Sequence, residues 1–231
     1  MNLAIVGYGK MGRLIDLLAR EYGFDVKLRL DIGNNAHFEG LTKENFRGID
    51  AAVEFSTPAT APENIERLAG LGVNSVIGTT GWFGEIERAR KAVERAGTGL
   101  VWSPNFSVGV SMFSQIVAEA ARLMARQPEY GAWAWEIHHA TKKDAPSGTL
   151  LALVEKMKQS GYARPIDASS SRAGAHPGTH EIGFDSAADT ITIRHTARSR
   201  EGFARGALRA ARWVAGKKGF FDFREIVNDL E

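Results

Sequence analysis

Cysteine is absent from the 231-residue sequence, which excludes disulfide bonds, thiolate metal sites and cysteine nucleophiles. The chain also lacks a large excess of charge of either sign: 29 lysines and arginines oppose 27 aspartates and glutamates, for a formal net charge of +2. Such a small excess does not indicate a protein that binds nucleic acid or a membrane surface. No apolar run approaches the roughly 20 residues that span a bilayer, and the N-terminus lacks the pattern of a signal peptide. We therefore expect a cytoplasmic, soluble protein.

The N-terminal segment has the pattern of a dinucleotide-binding turn. Residues 3–6 are an apolar run typical of a buried parallel strand, and GYGKMG follows at once, with glycines at Gly7, Gly9 and Gly12. A helical pattern then continues to Gly23, and a second predicted strand over residues 26–30 ends at Asp31, 19 residues after Gly12.

Each part of this pattern has a physical role. The first glycine permits a tight turn, the second lets the backbone approach a pyrophosphate, and the third allows close packing of helix on strand. The helix start offers free N–H groups to the phosphates, and Asp31 can accept hydrogen bonds from a ribose. The alternative is a glycine-rich turn in an unrelated α/β protein, but the flanking strand, the helix and the acid favour a dinucleotide site.

Strands and helices continue to alternate through the first half. We predict strands over residues 51–55, 73–77 and 100–102 and helices over 61–71 and 85–96. This alternation predicts a Rossmann-type, doubly wound parallel sheet, in which ligands bind beyond the carboxyl ends of the strands. The small polar clusters FSTP, GTTG and SPNF all follow predicted strands, which strengthens the cofactor interpretation.

The second half changes in character. A helix is predicted over residues 110–124, a strand over 133–137, and then the polar stretch EIHHATKKDAPSGT, followed by a helix over 150–158. Residues 159–181 read as a long loop or insertion, residues 181–184 and 190–195 as strands, and 203–214 as an amphipathic helix. Residues 220–223 are expected to pack back on the first domain.

The polar stretch admits more than one interpretation. His138 and His139 could be one core histidine and one solvent-facing histidine, and Lys142 and Lys143 a solvated pair. Neighbouring strand residues point to opposite faces, and the other four histidines show no ligand spacing, so we predict no metal site. Alternatively, Ser147 or Thr149 caps the next helix, and its N–H groups form an anion site beside the lysines.

The sequence resembles the dihydrodipicolinate (4-hydroxy-tetrahydrodipicolinate) reductase family of diaminopimelate and lysine biosynthesis. EIHHATKKDAPSGT matches the family signature, and the resemblance extends over nearly the whole chain through GYGKMGR, VEFSTP, VIGTTG, PNFSVGV, HTARSREGFARGAL and GFFDFREIV. It implies a homotetrameric enzyme. Its dinucleotide domain would be residues 1–106 completed by 205–231. Residues 107–204 would form a smaller α+β domain whose mixed sheet binds substrate and mediates assembly.

The resemblance also implies roles for individual residues. His138 matches the family's acid/base residue and Lys142 its proton donor. The groups that would surround the substrate, a cyclic imine dicarboxylate with a hydroxyl, are His139, Lys142, Ser147, Gly148 and Thr149. The residues that would bind NADH or NADPH are Gly7, Tyr8, Gly9, Lys10, Met11, Gly12, Asp31, Gly78, Thr79, Thr80, Ser103, Pro104, Asn105 and Phe106.

The cofactor preference follows from the residues after Asp31. Many family members have a basic residue there that can meet a 2′-phosphate, whereas this chain has Ile32 followed by Gly33. We therefore predict that NADH is preferred or that both cofactors are used, with Lys10 or Arg13 as compensating cations.

Two rival functions stay open at this point. One is another Rossmann dehydrogenase, of the aspartate or diaminopimelate dehydrogenase kind, which would need a different motif in the substrate domain. The other is a nicotinamide-binding regulator without catalysis, which would have no reason to keep His138 and Lys142 together.

Overall fold

The structure is a computed structural model and describes residues 1–230. Single 3-10 turns cover Ala19–Tyr22, Phe83–Glu85 and Val227–Asp229. In chain order the elements are β1 (Asn2–Val6), α1 (Lys10–Leu18), β2 (Asp25–Leu30), α2 (Ile32–Asn35), β3 (Ala51–Glu54), α3 (Ala61–Gly70), β4 (Asn74–Ile77), α4 (Ile86–Ala96), β5 (Gly99–Trp102), α5 (Val108–Met124), β6 (Gly131–His138), α6 (Gly148–Gln159), β7 (Ile166–Arg172), β8 (Thr179–Asp185), β9 (Thr190–Thr196), α7 (Glu201–Val214), β10 (Gly219–Asp222) and α8 (Phe223–Ile226).

These elements form two compact units. The first comprises residues 1–108 together with the C-terminal segment from residue 201, and the second comprises residues 109–200. Among the described residues, no helix is both long and apolar enough to cross a bilayer.

The first unit is built on a parallel sheet of six strands in the order β10-β5-β4-β3-β1-β2. Strands β3 and β4 are buried along their whole length, as expected for parallel strands covered on both faces. Helices α3 and α4 pack against each other, and α7 packs against α1 and the central strands. The doubly wound sheet predicted from the alternation of strands and helices is confirmed.

The C-terminal segment adds both a helix and a strand to this sheet. Helix α7 has the amphipathic pattern predicted over 203–214, and it buries alanines such as Ala207 and Ala211. Strand β10 pairs with β5 at the edge of the sheet, with Phe221 opposite Val101, and Phe223 is buried directly after it. Residues 220–223 thus pack on the first unit as predicted, with residues 220–222 in a sixth strand and Phe223 at the start of α8.

The second unit is a mixed sheet of four strands in the order β7-β6-β8-β9. Strand β7 runs parallel to β6, while β8 is antiparallel to both β6 and β9. One face of β6 carries Ala132 and Ala134 into a core that also includes residues of α5 and α6. The other face carries Trp133 and Trp135, because side chains alternate along a strand.

The prediction of a loop over residues 159–181 is wrong. Helix α6 extends to Gln159, Ile166–Arg172 forms β7, and β8 begins at Thr179. Strand β7 has the sequence IDASSSR, whose single large apolar residue leaves no alternating pattern to detect. It is an edge strand that β6 organises through backbone pairing.

Candidate active site

The glycine loop after β1 leaves no room for side chains at two of its three glycines. Gly7 has a φ of +97°, and a Cβ there would lie 2.3 Å from the carbonyl oxygen of Phe55. A Cβ on Gly12 would lie 2.4 Å from the carbonyl oxygen of Gly7. Gly9 differs, because a Cβ there would meet nothing within 4 Å. Gly9 thus borders open space at the start of α1, where a ligand's phosphates could approach the backbone.

The first turn of α1 presents its N–H groups without a side-chain cap. Gly9 is the N-cap residue and has no capping side chain, and Lys10 and Met11 begin the helix. The Tyr8 hydroxyl donates to Asp16, which also accepts two hydrogen bonds of 2.7 and 2.8 Å from Arg29. This network links the Tyr8 side chain to Asp16 of α1 and, through Asp16, to Arg29 of β2.

Asp31 lies at the carboxyl end of β2, as predicted, and caps the short helix α2. Its Oδ1 accepts from the Gly33 N–H at 2.7 Å, and its own N–H donates to the Asn34 side chain at 2.8 Å. The same side chain also takes part in a capping box with the Asn34 backbone. The following residue, Ile32, is uncharged and 87% exposed.

The loops after β4 and β5 lie at the same edge of the sheet, because all six strands are parallel. Gly78 packs against the ring of Phe55, and Thr79 Oγ1 accepts from the Ser56 N–H at 2.8 Å. Thr80 and Pro104 are exposed, and Asn105 is half-buried. Ser103 Oγ donates to the Asn105 carbonyl at 2.8 Å. Phe106 is the exception in this group, since it is buried between Phe55 and Phe223.

Glu54, at the end of β3, was not singled out from the sequence. Its carboxyl group is fully buried and accepts from the Ser56 hydroxyl and from Asn64 Nδ2, the latter at 3.2 Å. Burial raises the pKa of Glu54 above its ordinary value. The group ties the FSTP loop to α3 beneath the glycine loop.

In the second unit, the polar stretch begins with a buried glutamate that holds a histidine. Glu136 is completely buried in β6, and its Oε2 accepts from Nδ1 of His138 two residues further along the same face. Its Oε1 accepts from Arg172 at 2.8 Å and from the Ser147 N–H at 3.2 Å. Burial alone would raise the pKa of Glu136, but these hydrogen bonds outweigh it and hold the pKa at about 2.

His180 lies beside His138 on the neighbouring strand. It is directly opposite Glu136 in the β6–β8 ladder, and its ring centroid is 5.1 Å from that of His138. Its Nε2 is 3.2 Å from the Ser147 hydroxyl. Burial, with the nearby His138 as a smaller cause, lowers the pKa of His180 to about 4. Burial also lowers the pKa of His138, although Glu136 opposes that shift.

Ser147 is the N-cap of α6, which decides between the two candidates considered from the sequence. Its hydroxyl accepts from the Leu150 N–H at 3.2 Å, and it is almost fully buried. Gly148 and Thr149 form the first turn of α6. The helix start therefore stands next to Glu136 and His180, and its Gly148 N–H already donates to the Asp144 carboxylate, which shows that its N–H groups can receive an anion.

The cations and the second histidine lie on the turn before α6. Lys142 Nζ binds Asp144 with distances of 2.7 and 2.9 Å to the two carboxylate oxygens, while Lys143 is exposed. His139 Nδ1 is 2.8 Å from the Thr141 hydroxyl. The two adjacent histidines thus have different partners, and His138 alone is held by a carboxylate.

The cluster of Glu136, His138 and His180 has a geometry that could in principle hold a metal, because one ligand atom of each lies within 4.8 Å of the others. Sequence spacing did not suggest this group. The carboxylate, however, already binds the Arg172 cation and two N–H donors. Its arrangement is that of a buried ion pair beside a histidine.

Residues that sequence reasoning missed in this site are Glu136, Arg172 and His180. Glu136 and His138 are spaced by two on a predicted strand, which places them on one face and was a usable signal. The other two depend on strand pairing: Arg172 is opposite His138, and His180 is opposite Glu136.

Comparisons with known proteins agree along the whole chain. Residues 1–106 match the family described as dihydrodipicolinate reductase, N-terminus, and residues 109–227 match dihydrodipicolinate reductase, C-terminus. A protein of Christiangramia forsetii named 4-hydroxy-tetrahydrodipicolinate reductase is 33% identical over 241 residues, covering 100% of this chain and 99% of that protein. A protein of Archaeoglobus fulgidus with the same name is 35% identical over 260 residues, covering 98% and 100%.

Solved structures share the fold. The dipicolinate-bound dihydrodipicolinate reductase from Paenisporosarcina sp. TG-14 superimposes with a TM-score of 0.81 at 21% identity, covering 100% of this chain and 99% of that one. The aspartate dehydrogenase from Thermotoga maritima gives a TM-score of 0.51 at 14% identity, covering 94% and 97%. With both halves of the chain matched and relatives at 33% and 35% identity along their whole lengths, the chain belongs to the dihydrodipicolinate reductase family of pyridine-nucleotide-dependent oxidoreductases.

Proposed function

We propose that this chain reduces 4-hydroxy-tetrahydrodipicolinate to tetrahydrodipicolinate with loss of water, in diaminopimelate and lysine biosynthesis. The observation that carries the proposal is the position of His138, held by the ionised Glu136 next to the start of α6. An acid/base group and an anion-binding helix start are the two features that protonation of a cyclic dicarboxylate requires.

NADH and NADPH are the proposed cofactors, bound by the first unit. The fit rests on the open space at Gly9, the uncapped start of α1 and the Asp31 carboxylate at the end of β2. When bound, the nicotinamide ring supplies the hydride. The loops Gly78–Thr80 and Ser103–Asn105 line its end of the site, while Phe106 supports them from the core. Because Ile32 offers no cation to a 2′-phosphate, NADH is preferred or both cofactors are used.

The second unit binds the substrate and supplies the groups that transfer the proton. The ring carboxylates bind to N–H donors and an ammonium group, which anions favour. These groups are the N–H groups of Gly148 and Thr149, the Ser147 hydroxyl and the side chains of His139 and Lys142. Binding of the substrate competes with the contact between Lys142 and Asp144. That contact is exposed on the Asp144 side and therefore costs little to break.

The reaction balances with one proton. The hydroxyl leaves as water together with a hydrogen of the neighbouring ring carbon, hydride adds to the carbon of the unsaturated ring that carried the hydroxyl, and one proton is supplied to the ring to complete the reduction. His138 and Lys142 are the proposed donors. A histidine whose ordinary pKa lies near neutrality can give and regain a proton at physiological pH.

The chain is proposed to act as a homotetramer in the cytoplasm. The face of the second sheet that carries Trp133 and Trp135 supports self-association, because both indoles are only half-buried within one chain. Aromatic side chains of this kind are enriched at protein interfaces. Sedimentation analysis of the purified chain tests this part of the proposal.

The rival functions are separated by a substrate panel. Oxidation of NADH and NADPH is measured with the freshly generated product of dihydrodipicolinate synthase, with aspartate and diaminopimelate assayed in the oxidative direction. Turnover of the first alone supports the proposal. Turnover of an open-chain amino acid indicates an amino-acid dehydrogenase, and cofactor binding without turnover of any substrate indicates a regulator.

A further inference from the structure

Glu136 is a charged side chain in the interior of the second sheet. It is 0% exposed, and it follows Ala132 and Ala134 on the core face of β6. Its two oxygens receive hydrogen bonds from His138 Nδ1, Arg172 Nη2 and the Ser147 N–H. A buried ion pair adds little net stability compared with apolar packing, so its presence calls for a role other than stability.

The charge of Glu136 determines which tautomer His138 adopts. An ionised carboxylate can only accept hydrogen bonds, so the proton of a neutral His138 must be on Nδ1. The other ring nitrogen, Nε2, is then the atom that exchanges protons with a bound ligand. Space beside Nε2 is kept by Gly178, where a Cβ would lie 2.9 Å from that nitrogen.

We propose that Glu136 is a positioning residue of the reductase: it fixes the Nδ1–H tautomer of His138, orients Nε2 and stabilises the imidazolium form. Arg172 and the Ser147 N–H hold the carboxylate in place while it does so. This inference rests on the proposed function, in which His138 transfers the proton.

Among the charged and titratable groups around His138, Glu136 is the one that favours the protonated form of His138. Glu136 stands on the same strand, Arg172 on β7, His180 on β8, and Lys142 on the following turn. Both Arg172 and Lys142 lower the pKa of His138, whereas Glu136 raises it. Removing the negative charge should therefore lower the pKa of His138 and reduce the fraction of imidazolium at neutral pH.

The kinetic test replaces Glu136 by glutamine. Glu136→Gln should reduce kcat by about 10- to 100-fold, the range found for hydrogen-bond partners that orient metal-bound histidines. It should leave the dissociation constant for NADH unchanged and move the basic limb of the kcat–pH profile to lower pH. A kcat and pH profile equal to those of the wild type would overturn the proposal.

The matched control is Glu181→Gln. Glu181 is on the adjacent strand β8, pairs with Arg194 and is opposite Trp135, so it belongs to the other face of the sheet. The same chemical change there should alter neither kcat nor its pH profile. An equal loss in both variants would show a general effect of removing charge from the sheet, and would count against a specific role for Glu136.

A second measurement does not depend on folding of the variant. Nitrogen NMR of the wild-type protein with labelled histidine distinguishes the two neutral tautomers of His138, assigned by comparison with His138→Gln. The Nδ1–H form is expected, and an Nε2–H form would overturn the proposal even if Glu136→Gln is unstable. If the tautomer is as expected but the wild type does not reduce the cyclic substrate, the proposed function is wrong. In that case Glu136 still fixes the tautomer of His138, but its role in catalysis of this reaction is refuted.

Discussion

His138 and His180 face each other across two antiparallel strands, with ring centroids 5.1 Å apart and ring planes at 73°. They differ in their partners: His138 is held by the Glu136 carboxylate, and His180 by the Ser147 hydroxyl. The Glu136 charge acts on both rings, but only His138 is hydrogen-bonded to it, and burial still holds the pKa of His180 at about 4. From this difference we expect His138 to exchange a proton and His180 to stay neutral.

The neutral state of His180 should appear in the pH dependence of stability. Its pKa is about 4 in the folded chain and 6.5 as the ordinary value, so between these values the unfolded chain binds a proton that the folded chain does not. Lowering the pH through this range should decrease the free energy of unfolding by up to about 1.4 kcal/mol per pH unit. Urea unfolding at several pH values should show a shallower decrease for His180→Gln. Equal slopes would contradict a depressed pKa.

The glycine loop predicts opposite effects for two substitutions of the same kind. Gly9→Ala enters open space, so the free energy of unfolding should change by less than about 1 kcal/mol. The new methyl group should obstruct the phosphates and raise the dissociation constant for NADH about tenfold or more. Gly12→Ala collides with backbone and should destabilise the fold by about 1–3 kcal/mol. Calorimetry measures the change in stability, and fluorescence titration measures the dissociation constant for NADH. A normal NADH affinity in Gly9→Ala would show that the cofactor's phosphates do not lie at Gly9.

Cofactor preference should respond to the exposed residue after Asp31. The wild type should have a kcat/KM for NADH at least equal to that for NADPH. Ile32→Arg should shift the ratio toward NADPH by at least about tenfold, since a hydrogen bond to a charged group contributes about 1.5–3 kcal/mol. Ile32→Gln serves as the uncharged control. A strong preference of the wild type for NADPH would refute the prediction.

Removal of either proposed proton donor should affect turnover and spare cofactor binding. His138→Gln and Lys142→Ala should each reduce kcat by about 10²- to 10⁴-fold. The NADH affinity should stay near the wild-type value, because both residues belong to the second unit and the glycine loop to the first. Steady-state kinetics and NADH titration measure the two effects separately. A large loss of NADH affinity in either variant would show that the substituted residue binds the cofactor, which would contradict its proposed role as a proton donor.

Local patterns were sufficient to predict β1 to β5 and the helices α1, α3, α4 and α7 of the first unit, but not α2 or the pairing of β10 with β5. Its strands are short apolar runs that end in glycine or small polar residues, and the parallel sheet follows from their alternation with helices. Strand β7 could not be predicted in this way, because its residues IDASSSR have no alternating apolar side chains. Its pairing with β6 supplies the order that its own sequence does not.

The candidate site in the second unit was predicted only for residues that are close to one another in sequence. His138, Lys142 and Ser147 belong to one continuous motif, and the helix cap followed from residue type. Arg172 and His180 join the site through the register of β7 and β8 on β6. A shift of one residue would send either side chain to the other face, so their roles depend on tertiary pairing that no local pattern records.

The most direct measurement is the initial rate of NADH or NADPH oxidation by the purified chain in the presence of the freshly generated dihydrodipicolinate synthase product. We expect turnover that depends on this cyclic substrate, consumes one reduced nicotinamide for each tetrahydrodipicolinate formed, and is reduced about 10²-fold or more by His138→Gln. Absence of turnover from a folded protein that binds NADH would contradict the proposed function.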